Sequence, residues 1–143
     1  MDWSYLFTSF DGRIPRQPFW IALLILLGAE LVGHSVAVSI QGDRLSAIVD
    51  LAFTYPEFAL FAKRGQDRNL SPKLIGVFFA ISVFIDFLIM IGLAGAADQP
   101  STLLVIIMVP WTIFALALLV ELGLRPGTPG ANRYGPDPLT GRV

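Results

Sequence analysis

Five carboxylates interrupt the apolar stretches of this 143-residue chain: Glu30, Asp50, Glu57, Asp86 and Glu121. The single histidine, His34, follows Glu30 by four residues, which puts both on one face of a helix. An acid, an imidazole and a second acid at similar depth have the chemistry of a proton or cation relay. Glu30, His34 and Asp86 are the candidates for it. The plainer use of the same groups is hydrogen bonding between helices. No metal site is expected, because one histidine and two acids show no ligand spacing and the chain has no cysteine.

A second polar set is rich in arginine. Glu57 and Arg64 are seven residues apart, and Glu121 and Arg125 are four apart, so each pair shares a helical face if the helix continues. Arg13 and Arg16 reach the same layer. The expected polar cluster is Arg13, Arg16, Glu57, Arg64, Asp67, Arg68, Glu121 and Arg133, with Glu57 and Glu121 paired to Arg64, Arg13 or Arg16. The plain alternative is that these pairs only fasten loops to helix ends. Enzyme signatures are missing: there is no Gly-x-Ser-x-Gly, no P-loop and no His-Glu-x-x-His. No cofactor is expected.

These residues are carried on elements that composition identifies. The chain is 55% hydrophobic and 15% charged, against about 25% charged in an average soluble domain. Such a chain needs lipid around most of its surface. A net charge of -1 excludes a nucleic-acid binder. Four apolar runs approach the ~20 residues a bilayer requires: 19–40, 45–62, 74–96 and 103–124. The first is read as a retained helix, since a signal peptide has a basic leader and a shorter apolar core. The second is the weakest; it needs Arg44 to snorkel to the headgroups, and Pro56 is expected to kink it.

Ahead of the first run, Trp3, Leu6, Phe7 and Phe10 share one face of a short helix that Asp2 is placed to cap. It lies at the headgroup level or plugs the bundle. The expected architecture is all-α: one domain, a four-helix transmembrane bundle of two hairpins with an interfacial N-terminal helix. A polar loop, 63–73, joins the hairpins, and an extended tail, 125–143, comes after them. Nine of the ten basic residues fall on the side of the termini and this loop, Arg142 among them, and only Arg44 lies opposite. The positive-inside rule makes that side cytoplasmic.

From the cytoplasmic ends of these runs, Glu30 and Asp86 come out about 16–18 Å deep, and Glu57 and Glu121 about 5–8 Å deep. A carboxylate inside a bilayer costs ~2.5–3.5 kcal/mol on insertion scales, which is why such residues face a bundle interior and draw attention. Small residues at Gly28/Gly33, Gly76/Ala80 and Gly92/Gly95/Ala96 let helices approach one another, within the bundle or between two copies.

Three stretches resemble the bacterial inner-membrane family known as domain of unknown function 805. They are Phe10-Asp11-Gly12-Arg13-Ile14-Pro15-Arg16-Gln17-Pro18-Phe19-Trp20, Lys63-Arg64-Gly65-Gln66-Asp67-Arg68-Asn69, and Pro126 to Pro138. The resemblance covers nearly the whole chain and implies a small integral membrane protein with no known activity. One departure is Gly65-Gln66 where the family has Leu-His. Glutamine hydrogen bonds but does not titrate, so any histidine chemistry at that point is absent here.

The function expected is therefore a non-enzymatic scaffold or accessory subunit in the inner membrane, acting through its cytoplasmic motif face. Its partners would be membrane lipids, a protein at that face, or a second copy. A small transporter or ion channel using the buried carboxylates is the alternative, and a lipid-modifying enzyme a third.

Overall fold

The computed structural model describes residues 1–96 and 98–140, apart from the side chain of Asp43. Ala97 and Arg142, expected in a turn and in the basic tail, lie outside them. Five α-helices succeed one another: α1 (Trp3–Thr8), α2 (Arg16–Gln41), α3 (Asp43–Asp67), α4 (Pro72–Met90) and α5 (Thr102–Leu119), the last running on into a π-helical turn, Val120–Leu124. Four of these segments are long and apolar enough to cross a membrane: Arg16–Gln41, Arg44–Asp67, Pro72–Met90 and Thr102–Leu124. Large aliphatic side chains such as Leu24, Leu31, Ile40, Ile106 and Ile113 point outward along them. A surface of that kind belongs in hydrocarbon rather than water, and the chain is a membrane protein.

Local chemistry sets the helix ends. Asp2 caps α1 by accepting from the Tyr5 N–H at 3.0 Å. Ser71 accepts from Lys73 with Pro72 in the first turn, and Ser101 accepts from Leu104. Gly42, at φ 73°, turns α2 directly into α3. The end of α3 is a Schellman motif: Asn69 sits left-handed at φ 58°, its N–H donates to Gln66 O at 3.0 Å, and Leu70 N–H donates to Gly65 O at 2.8 Å.

Two boundaries differ from expectation. The second span does not stop at residue 62. Helix α3 continues through Lys63, Arg64, Gln66 and Asp67 to the Asn69 turn, and α4 takes in Pro72 and Lys73, so most of the expected loop 63–73 is helix. The third span does not reach residue 96. It ends at Met90, because Gly92 (φ 79°) and Gly95 (φ 82°) leave the helical region. Gly95–Ala96 then pairs antiparallel with Gln99–Pro100, a two-stranded departure from an all-helical fold.

Helix α3 is the hub of packing. It lies against α1, α2 and α4, while α5 touches α4 and the π-helical turn reaches α2 and α3. Phe19, Leu60, Ile75 and Leu122 are fully buried where these elements meet. Phe61 packs edge-on to both Phe19 and Phe79, at 5.4 and 5.5 Å.

Candidate functional site

The final turns of α3 carry the densest polar chemistry. Lys63 and Arg64 are completely buried, and Arg13, Gln66 and Asp67 are nearly so. Each cation is satisfied mainly by backbone carbonyls. The Lys63 ammonium donates to Tyr5 O at 2.5 Å, Leu6 O at 2.8 Å and Ser9 O at 2.5 Å. These are among the carbonyls that the end of α1 leaves unpaired. It also lies 4.7 Å from the centre of the Tyr5 ring. Arg64 donates to Leu122 O and Arg125 O at 2.6 Å each, and to Ile14 O at 3.4 Å, so its fork caps the end of the last helical segment. Arg13 gathers the tail, donating to Thr128 O at 2.6 Å, Gly130 O at 2.7 Å and Gly135 O at 3.2 Å.

One carboxylate joins the two arginines. Asp67 accepts from Arg13 Nε at 3.1 Å and from Arg64 Nη1. Its own backbone carbonyl receives Thr128 N–H at 2.8 Å. Gly127 lies directly against the Asp67 carboxylate, where a β-carbon would overlap it. Gln66 donates to Phe10 O at 2.8 Å, and its backbone carbonyl receives Asn132 Nδ2 at 2.9 Å. Arg133 donates to Asn69 O at 3.0 Å and stacks on Tyr134. The tail is further shaped by Asp137, which accepts from the Gly130 and Leu139 N–H groups. Those two donors hold its carboxyl below the usual carboxylate range. Burial, reinforced by Asp11, pushes the Tyr5 phenol up.

An outer layer surrounds this core. Glu121 binds Arg68 at 2.7 Å and Arg125 at 2.8 Å. Arg16 donates to Leu124 O at 3.1 Å, and Trp20 Nε1 donates to Gly123 O at 3.0 Å. Thus seven of the eight residues of the expected polar cluster sit at this end of the molecule.

Glu57 does not. Its expected partner Arg64 is engaged elsewhere, and Glu57 lines the same cavity as Glu30. The reason is the length of α3: the turns from Lys63 to Asp67 add about 7 Å of helix below Glu57. A residue expected in the shallow layer therefore joins the deep one.

The deep set is accordingly larger than expected. Glu30 from α2, Asp50 and Glu57 from α3, and Asp86 from α4 all line one cavity of about 420 Å³. His34 turns to Asp50, 3.0 Å from Nδ1 to Oδ1, and not to Glu30. Asp50 is the residue that sequence reasoning misses: it stands out within an apolar run, but no spacing rule links it to His34 across two helices. Among the described residues no group of three or more His, Cys, Asp or Glu is placed to hold a metal ion.

Comparison with known proteins gives the relatives. The family described as "Protein of unknown function (DUF805)" matches residues 7–136. The chain is similar to the "Uncharacterized protein YiiR" of Escherichia coli strain K12 and of Escherichia coli O157:H7, 31% identical to each over 134 residues, which is 90% of this chain and 85% of the relative. No solved structure matches.

Proposed function

The chain belongs to the DUF805 family of proteins of unknown function, and from that premise we propose that it is a multi-pass inner-membrane scaffold or accessory subunit, without catalytic chemistry of its own, acting through its cytoplasmic end. In this reading α2–α3 and α4–α5 are two membrane hairpins. Both termini, the turn after α3 and the 125–143 tail lie in the cytoplasm, and α1 rests at the interface. The support for this orientation is that Arg13, Arg16, Lys63, Arg64, Arg68, Arg125 and Arg133 meet at one end, whereas Arg44 is beside Gly92 at the other turn. A fluorescent protein fused after Thr140 should fluoresce, and alkaline phosphatase inserted in the Gly95–Pro100 turn should be active. The reverse pattern would invert the topology.

The observation that carries the scaffold reading is the fate of the motif side chains. Arg13, Lys63, Arg64 and Asp67 are turned inward and saturated. The turn and tail are thereby ordered in advance, which removes much of the entropy a partner would otherwise have to overcome. Arg125 and Leu139 stay well exposed on the outside of this braced structure, and Arg133 is exposed beside them.

A photo-crosslinking amino acid at Arg133 or Leu139, with Val109 on α5 as the lipid-facing control, tests this in cells. The same protein adduct should form from both positions, and it should be lost when the brace is opened by Asp67→Asn at matched expression. If neither position gives an adduct above the Val109 background, the scaffold reading fails.

A further inference from the structure

The cavity between the helices is more than a gap in packing. Its volume, about 420 Å³, lies in the range of about 300–1,000 Å³ typical of small-molecule sites. Its lining is of two kinds. One is aromatic, made by Phe61, Phe78, Phe79 and Trp111. Phe78 and Trp111 stack at 5.1 Å, and the indole N–H is tied to Ser82 Oγ at 3.0 Å, which fixes the ring. The other is acidic, the carboxyl-bearing Glu30, Asp50, Glu57 and Asp86, and among the described residues no lysine or arginine lines the space.

Both kinds of lining select the same charge. Aromatic ring faces are electron-rich and attract cations within about 6 Å of the centroid. Carboxyl oxygens accept hydrogen bonds and attract positive charge more strongly as the dielectric falls. An anion would meet acid oxygens and ring faces. A proton or a small inorganic cation would use the oxygens alone and leave the rings idle. An organic cation with an apolar body uses both.

The rim agrees with an apolar body. Leu27 and Leu116, from α2 and α5, line the cavity and are 45% and 59% exposed. They lie in spanning helices, so the entrance opens toward hydrocarbon. A hydrophobic cation partitions into that layer, whereas a metal ion does not.

We propose that this cavity binds a hydrophobic organic cation, an amine or onium compound, with its charged centre at Glu57 and Asp86 and its body against Phe78 and Trp111. Such a ligand also gives a common partner to carboxyl groups contributed by three helices. The site is independent of the cytoplasmic brace, so either reading can fail without the other.

Tetraphenylphosphonium and tetraphenylborate have the same shape and opposite charge, which makes them the probes. Equilibrium dialysis against the full-length protein in detergent should show saturable binding of the phosphonium, with the borate at least about tenfold weaker. The pair Glu57→Gln and Asp86→Asn should weaken phosphonium binding by about tenfold or more. A second measurement needs no variant: the phosphonium should slow modification of the wild-type peptides carrying Glu57 and Asp86 by dicyclohexylcarbodiimide. Equal binding of the borate, absence of saturable phosphonium binding, or carbodiimide labelling unchanged by the phosphonium would each overturn the proposal.

Discussion

Asparagine in place of Asp67 should destabilise the protein by about 3–5 kcal/mol, the usual effect of removing one partner from a buried ion pair. Asp67 is the carboxylate shared by Arg13 and Arg64, and the three side chains are 3%, 2% and 0% exposed. Asparagine keeps the shape and one acceptor oxygen. Its amide turns donors toward a guanidinium and leaves two buried cations without a counter-charge. The carbonyls of Thr128, Gly130, Leu122 and Arg125 still hold the arginines, but they offer partial charges only. Thermal unfolding in detergent should show a midpoint lower by on the order of 10 °C. Limited proteolysis should cut first in the 126–138 segment. Asp137→Asn is the control: its carboxyl is exposed and bonds only to nearby backbone, so its effect should be small. A wild-type midpoint and an intact tail in Asp67→Asn would refute the account of the brace.

Methionine at Lys63 should act more locally. The side chain is similar in length and fills the same space, yet it donates nothing. Three carbonyls, those of Tyr5, Leu6 and Ser9, lose their common donor at once. A buried carbonyl left unpaired costs about 1–3 kcal/mol, and three exceed what a six-residue helix gains by packing. Helix α1 should therefore leave its seat on α3 and find water or headgroups instead. The total loss is capped at the docking energy of α1, so the four long helices should stay folded. Amide exchange in Trp3–Thr8 should rise at least about tenfold while α2 to α4 stay protected. Lys63→Arg cannot rescue it fully, because a planar fork does not converge on three oxygens as an ammonium does. Unchanged protection of α1 would show that Lys63 does not hold it.

What the sequence discloses and what it hides divide along one physical line. The spans are legible because each is a continuous apolar run, and Phe19 to Ile40 falls inside the observed Arg16–Gln41. The Asp2 cap acts within a few residues and can be read locally. The end of α3 cannot. Lys63, Arg64, Gln66 and Asp67 look like a loop because charged residues rarely continue a buried helix. They do so here because carbonyls from residues 5–14 and 122–125 satisfy the two cations, and no local rule contains those partners. The misplaced depth of Glu57 stems from that single boundary. The Glu121–Arg125 bridge, four residues apart on one turn, is visible for the opposite reason. His34 with Asp50 shows the same limit, since two residues 16 apart meet only because α2 folds back at Gly42.

The reach of Arg13 into the tail has a consequence for how the chain is made. Its acceptors at Thr128, Gly130 and Gly135 are more than 110 residues away in sequence. While the last helical segment is still being made, Arg13, Arg64 and Asp67 already exist with half their partners unsynthesised. The brace therefore closes only once the segment from Thr128 to Gly135 has been made. A chain broken off before Thr128 would leave Arg13 without three of its carbonyl partners. The segment from Thr128 to Gly135 thus brings the last partners that the buried Arg13 meets.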